Sequence, residues 1–364
     1  MDRLLRRLLH PLNRRLETTV HPLRYLFVEI TQRCNLRCLH CGSDCGAKPR
    51  LDELTTDEWL RFFDYLAGHA DTSRMVLVIT GGEPLCHPEL DRILEGLRGA
   101  GLAWGMVTNG HALSRPRIDQ LMRAGLSSIT VSLDGLEGSH DWLRGVAGAH
   151  ARVTESLRHL VRAQVPFFDV VTCVNPRNLE ELPRLGEELR AMGVPAWRLF
   201  CIFPRGRARG NAQLLLSPGQ FRQLLEFIAA RRVGTEGPRT SFSCEGYLPW
   251  RLDGRVRDEP YFCRAGISIG SVLCDGAISA CPNIPRTLVQ GNIRDDDLLQ
   301  VWDRRFQAFR QRTWMKQGPC RQCSEWGRCL GNSMHLWDEQ AGQTACCTFG
   351  MAQGATCGGP MERE

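Results

Sequence analysis

The stretch "EITQRCNLRCLHCGSDCG", residues 29–46, sets Cys34, Cys38 and Cys41 at a three-then-two spacing and adds Cys45 four residues on. Three thiolates spaced in this way can wrap one face of a metal cluster and leave its fourth metal corner without a protein ligand. Zinc ribbons use two pairs of Cys and close all four positions. An iron–sulfur cluster with one open iron suits an external chelating ligand. The competing assignment is a zinc site completed by Cys45 or His40; otherwise Cys45 is a bystander thiol.

Outward from this loop the chain alternates. The strand-like run "RYLFVEIT" (24–31) leads into it. Helix 55–70, strand 74–80, helix 88–100, strand 103–109, helix 115–124 and strand 127–135 follow, then a helix near 150–163, strand 167–175, helix 178–192, strand 196–203 and helix 217–232. Six strands alternating with helices predict a parallel α/β sheet. Such sheets carry their chemistry at the carboxyl ends of the strands. Here those ends hold the Cys cluster, "TGGEP", "TNG", "SLDG", "TCVN" and "FPRGRARGN".

"CNLRCLHC" after a strand, followed by "GGEP", resembles the radical S-adenosylmethionine (radical SAM) superfamily, with His40 at a place where that family has Tyr, Phe, Trp or His. The resemblance implies a partial (β/α)6 TIM-like barrel over residues 24–235. It implies that Cys34, Cys38 and Cys41 hold a [4Fe–4S] cluster whose fourth iron is chelated by the methionine part of SAM. Gly81, Gly82, Glu83 and Pro84 then lie beside that methionine, and Thr108, Asn109, Gly110, Ser132, Asp134 and Arg144 line the SAM pocket. One-electron reduction would cleave SAM to methionine and a 5′-deoxyadenosyl radical, which takes a hydrogen atom from an unactivated C–H. That chemistry needs a water-poor chamber, which a barrel mouth supplies. A flavodoxin or ferredoxin would deliver the electron.

The rhythm stops near residue 235. A hairpin, "SIGSVLCDGAISAC", is expected to turn on Asp275–Gly276 as a two-residue loop, and a helix is expected over 297–311. Cys263 is followed by Gly276, Cys281, then Cys320, Cys323, Cys329, Cys346 and Cys347. This spacing resembles the SPASM domain, a small Cys-rich auxiliary-cluster module, here over 236–364. The resemblance implies a distal [4Fe–4S] cluster on Cys320, Cys323, Cys329 and one of Cys346 or Cys347, and a proximal cluster using Cys263 and Cys281. That family has a further Cys where Ser333 stands. The proximal cluster would therefore have an open iron, borrow Cys274, Cys244, His335 or the spare downstream Cys, or be absent. Two-apart Cys pairs also suit zinc ribbons.

The totals agree with a folded two-domain protein: 364 residues, 43% hydrophobic and 24% charged. Lys48 and Lys316 are the sole lysines behind a net charge of +6, so the excess is an arginine habit and no nucleic-acid partner is inferred. Seventeen cysteines without a secretory signal point to metal ligands in a reducing cytoplasm, in an organism that meets little oxygen. Residues 1–23 place leucines among arginines at helical spacing, which predicts a basic amphipathic arm. It is expected to pack on its own domain or to touch a membrane surface or partner.

Cys173 and Cys201, near the ends of the fifth and sixth strands, are candidate hydrogen donors to a substrate radical, although a strand Cys is more often core filling. Arg205, Arg207 and Arg209 are candidate carboxylate binders, or a solvated basic loop. Most SPASM enzymes modify peptides or protein side chains by cross-linking, oxidation or epimerisation, and the resemblance therefore implies a ribosomal peptide substrate. With only a short arm before the barrel, leader recognition would fall to the arm or to a partner protein. The alternatives are side-chain decarboxylation of a haem precursor and, in another class, a non-catalytic iron–sulfur electron-transfer protein.

Overall fold

The computed structural model describes residues 3–234, 236–243 and 246–356, with the side chains of 3–7 left aside. The order of elements follows the alternation read from the sequence. Helix α1 (Arg3–Val20) precedes β1 (Tyr25–Glu29), α2 (Thr56–His69), β2 (Val76–Thr80), α3 (Leu90–Gly99), β3 (Trp104–Thr108), α4 (Arg115–Arg123) and β4 (Leu126–Ser132). Then come α5 (Glu137–Arg144), α6 (Ala149–Ala163), β5 (Phe167–Val174), α7 (Leu182–Met192), β6 (Ala196–Cys201), α8 (Pro218–Arg231) and β7 (Arg239–Phe242). Strands β1 to β7 are all parallel and run in sequence order across the sheet. This is a partial TIM-like barrel, as the sequence implied.

Local chemistry explains the boundaries. Thr55 and Ser217 begin α2 and α8 with capping boxes closed by Glu58 and Gln220. Gly145 and Gly193 end α5 and α7 in the left-handed conformation. Between strands and outer helices lies the core, with Trp59, Phe63, Trp104, Trp197 and Phe221 wholly buried.

Beyond residue 235 the sheet continues. After β7 and α9 (Trp250–Val256), β8 (Ile269–Val272) pairs parallel to β1, and β9 (Ala277–Ser279) and β10 (Gly291–Asn292) extend that edge antiparallel. One ten-stranded sheet, β10-β9-β8-β1-β2-β3-β4-β5-β6-β7, therefore crosses the boundary that the change of rhythm suggested. The β8–β9 turn differs from expectation. Leu273 N–H reaches Ala277 O at 2.9 Å, leaving a three-residue loop that ends on Gly276 at φ 83°. The expected helix 297–311 is broken at Phe306, between α10 (Leu298–Arg305) and a single turn over Gln307–Arg310.

Candidate functional site

The loop after β1 holds Cys34, Cys38 and Cys41, and the structure pins it on every side. Leu39 N–H bonds to Leu143 O at 2.8 Å and Arg37 N–H to Arg144 O at 3.2 Å, both on α5. Cys34 N–H bonds to Gly46 O at 2.8 Å. Arg207, in the loop after β6, donates from Nε to Cys38 O at 2.7 Å and from Nη1 to Cys45 O at 2.7 Å and Asp44 Oδ1 at 2.9 Å. Its N–H bonds to Cys41 O at 3.0 Å. A Cβ on Gly206, at φ 52°, would lie 2.2 Å from Cys41 O, so only glycine permits that approach.

Glu83 is fully buried at the end of β2. Its carboxylate accepts from Thr108 Oγ1 at 2.7 Å, Asn109 N–H at 2.7 Å and Leu85 N–H at 3.1 Å. Burial pushes its pKa up, and these donors pull it back. Asn109 in turn points Nδ2 at Cys34 Sγ, 3.9 Å away, and at Asn35 Oδ1, 2.8 Å away. The "GGEP" turn packs on the chain just before Cys34: a Cβ on Gly82 would lie 2.5 Å from Arg33 O. Gly81, Gly82, Glu83, Pro84, Thr108 and Asn109 thus meet around Cys34.

A second group meets around Cys38. Asp134, fully buried, accepts from Arg144 Nε at 2.6 Å and Cys173 N–H at 2.8 Å, while Arg144 Nη1 lies 3.6 Å from Cys38 Sγ. Burial raises the Asp134 pKa, but the guanidinium holds it below its usual value. A ring nitrogen of His40, a carboxylate oxygen of Asp134 and Cys173 Sγ all lie within 4.8 Å of one another. Ser132 stands at the end of β4, on the half-buried face of that strand.

The two candidate hydrogen donors part company. In β5 the residues Phe168, Val170, Thr172 and Val174 are buried, and Cys173 belongs to the other, half-buried face with Asp169 and Val171. Cys201 is level with Val174 and sits with Trp197 and Leu199 in the buried core. Geometry therefore keeps Cys173 beside the site and makes Cys201 core filling.

Of the three arginines expected to bind carboxylates, Arg205 and Arg207 are half-buried and committed to backbone carbonyls, and Arg209 is exposed. Arg205 donates to His335 O at 2.6 Å and Trp337 O at 2.9 Å, Arg207 holds the Cys loop, and Arg209 pairs with Asp338 at 3.3 Å. Sequence reading missed this stapling role, because the carbonyls that the arginines satisfy come from distant segments.

The thiols fit a cluster. Burial pushes the Cys34 pKa up to about 12, and charge on Cys38, Glu83 and Cys41 adds to the rise. A hydrogen bond from Cys45 lowers the pKa of Cys41. Arg144 and Asn109 offer N–H groups to the sulfurs, as a negatively charged iron–sulfur group requires. Cys320, Cys323, Cys329 and Cys347 also fit, since all four line one small cavity with Trp326 and Phe349. Cys346 is held in a disulfide and buried against Met351, which leaves Cys347 to that cavity.

The proximal set does not fit a closed cluster. The Ser333 hydroxyl is buried and hydrogen-bonded to Tyr261 OH at 3.0 Å. Cys274 lies against Glu29, its N–H donating to the Glu29 carboxylate at 3.4 Å, beside the first Cys loop. His335 is half-buried on Phe203, with ring centroids 5.1 Å apart. Cys244 lies outside the described residues. Burial raises the Cys263 pKa, but Arg312 and the N–H groups of Met334 and Ala265 outweigh it.

Comparison with known proteins agrees. Residues 28–189 match the radical SAM superfamily, and residues 263–324 match the SPASM iron-sulfur cluster-binding domain. The chain is 28% identical over 333 residues to an AdoMet-dependent heme synthase of Methanosarcina barkeri, covering 85% of this chain and 90% of the relative. It is 26% identical over 342 residues to a PqqA peptide cyclase of Gluconobacter oxydans, covering 91% and 92%. Its fold resembles anSMEcpe with bound AdoMet (TM-score 0.68, 17% identity, 86% of this chain and 90% of that one). It also resembles Streptococcus suis SuiB bound to S-adenosylmethionine (TM-score 0.66, 16% identity, 85% and 72%). A chain with the three-Cys loop closing β1, the buried Glu83 cradle beside it and these two matches in this order is a radical SAM superfamily member carrying a C-terminal SPASM domain.

Proposed function

We propose that this enzyme abstracts hydrogen from a side chain of a ribosomal peptide or protein and so cross-links, oxidises or epimerises it. Cys34, Cys38 and Cys41 hold the [4Fe–4S] cluster, and Cys320, Cys323, Cys329 and Cys347 hold one auxiliary cluster. The cluster with SAM supplies, when bound, a one-electron cleavage that yields a hydrogen-abstracting radical. The chain's own residues prepare the place. Glu83, held by Thr108, Asn109 and Leu85, braces the turn that would take the methionine part of SAM, Asn109 and Arg144 donate toward the sulfurs, and the Asp134–Arg144 pair fixes the loop. Cys173 stands beside this group, where a thiol can return a hydrogen atom to substrate. A flavodoxin or ferredoxin delivers the electron.

The observation that carries the substrate class is the fate of Arg205, Arg207 and Arg209. The guanidinium groups of Arg205 and Arg207 are committed to Trp337, Cys38 and Cys45, which takes them away from the carboxylates of a tetrapyrrole, and only Arg209, in an exposed pair with Asp338, faces solvent. A polypeptide needs no such cations. Similarity to the PqqA peptide cyclase supports the same reading. Similarity to the heme synthase favours the second one, decarboxylation of a haem-precursor side chain.

The test is anaerobic. Reconstituted, reduced protein is given SAM with either the peptide encoded beside its gene or iron coproporphyrin. Peptide-dependent 5′-deoxyadenosine with a mass change in the peptide supports the proposal. Loss of carboxyl groups from the porphyrin with an unchanged peptide overturns it. If 5′-deoxyadenosine fails to form with any reductant, electron transfer alone becomes the reading.

A further inference from the structure

Helix α1 is docked the opposite way from an ordinary surface helix. Three of its polar residues face the protein. His10 Nε2 meets Tyr261 O at 3.2 Å, Arg14 donates to Arg328 O and Gly327 O at 2.8 Å each, and Glu17 accepts from Arg264 Nε at 3.0 Å and Ser268 Oγ at 2.5 Å. Just past its end, Trp302 Nε1 caps His21 O at 2.8 Å. The other side of the helix carries Leu8, Leu12, Leu16 and Val20, exposed by 66%, 54%, 55% and 65%. Four-residue spacing puts them in one row about 18 Å long. These are half of the large hydrophobic residues exposed above the surface of the described chain.

We infer that this row is the contact surface for an anionic phospholipid bilayer, with α1 lying flat between the protein and the headgroups. The helix sequence contains five arginines, Arg3, Arg6, Arg7, Arg14 and Arg15, against one acid, Glu17, and that acid is turned inward onto Arg264. Arg15 is exposed at the edge of the leucine row. A second copy of the chain pairing through this row would set Arg15 against the same basic helix, whose one acid is turned inward, whereas anionic headgroups complement it. Trp250, 48% exposed, and Arg251 share with Pro11 the lining of a cavity of about 630 Å³ beside the helix, and indole with arginine suits the headgroup level. The helix is too short of apolar residues to cross a membrane, so the contact is peripheral.

The experiment uses the whole cluster-loaded protein and sedimentation with vesicles of phosphatidylcholine alone or mixed equally with phosphatidylglycerol. Binding is expected to the mixed vesicles only and to weaken with salt. Leu12→Glu with Leu16→Glu, both on the exposed face, should lower the partition coefficient at least about tenfold while iron content stays unchanged; Arg15→Glu should lower it less. Equal partitioning of wild type and the leucine variant, or no vesicle binding, overturns the inference. So does a wild-type dimer that the leucine variant converts to monomer without any lipid dependence. The outcome does not depend on which substrate the enzyme takes.

Discussion

Replacing Asp134 by Asn keeps the shape of the side chain and its acceptor for Cys173 N–H but removes the charge opposite Arg144. Both partners are taken out of water, Asp134 completely and Arg144 to 7% exposure. Breaking a buried pair in this way leaves an uncompensated charge and costs about 3–5 kcal/mol. That is a large part of the roughly 5–15 kcal/mol that holds a typical protein folded. Arg144→Met alone should cost a similar amount, since it strands Asp134. The double variant should cost little more than either single one, giving a coupling close to the cost of one of them, about 3–5 kcal/mol. Urea unfolding followed by tryptophan fluorescence under anaerobic conditions measures all four corners. Because Arg144 also reaches Cys38 Sγ at 3.6 Å, both single variants should take up less iron on reconstitution. Simple additivity, or a cost below about 1 kcal/mol for Asp134→Asn, would show that the pair does not hold this corner of the site.

Three further outcomes follow from the same contacts. Wild type should bind about eight irons per chain, two cubanes; Cys347→Ser should halve this count, while Cys346→Ser leaves it unchanged, as read by iron and sulfide analysis. Arg207→Leu removes three hydrogen bonds from the Cys loop and should cut iron uptake and open residues 34–45 to proteolysis, whereas Arg209→Leu, an exposed pair at 3.3 Å, should change stability by less than about 1 kcal/mol. Glu29 is buried, and burial raises its pKa from 4.5 to about 7, so the folded chain binds the extra proton. Its stabilising share is complete below pH 4.5 and lost as pH rises through about 7, a fall of about 3 kcal/mol that Glu29→Gln should flatten in urea titrations at several pH values.

Features set by neighbours in sequence were legible; those set by distant pairing were not. The βα alternation, the caps and the Cys loop are local patterns, and β1 to β6 lie within the stretches read as strands, apart from a one-residue shift at β4. The short β7, with the sequence "RTSF", is half polar and joins the sheet only because β6 offers it an edge. The place of β8 beside β1 likewise depends on pairing across more than two hundred residues. Cys173 and Cys201 looked alike in sequence because both end a strand. Their roles separate on register alone, Val174 standing level with Cys201, and a shift of one residue would exchange them. Ser333 was legible as a departure, but only its bond to Tyr261 shows that the position is filled rather than vacant.

The stapling arginines also explain why the loop and the C-terminal segment work as one piece. Arg207 ties the β6 loop to Cys38 and Cys45, and Arg205 two residues earlier ties the same loop to His335 and Trp337. On the other flank, Leu54 N–H bonds to Cys274 O at 2.6 Å and Cys274 N–H meets Glu29. The three-Cys loop is therefore gripped by two segments of the chain beyond it. Ordering a residue costs about 1–2 kcal/mol of backbone entropy, so a loop of this length left slack would oppose cluster assembly strongly. Because the fold already meets that cost, the thiols can select a cluster by their geometry. A disturbance of the C-terminal segment at Trp337 should then reach Cys38 through two arginines of one short loop.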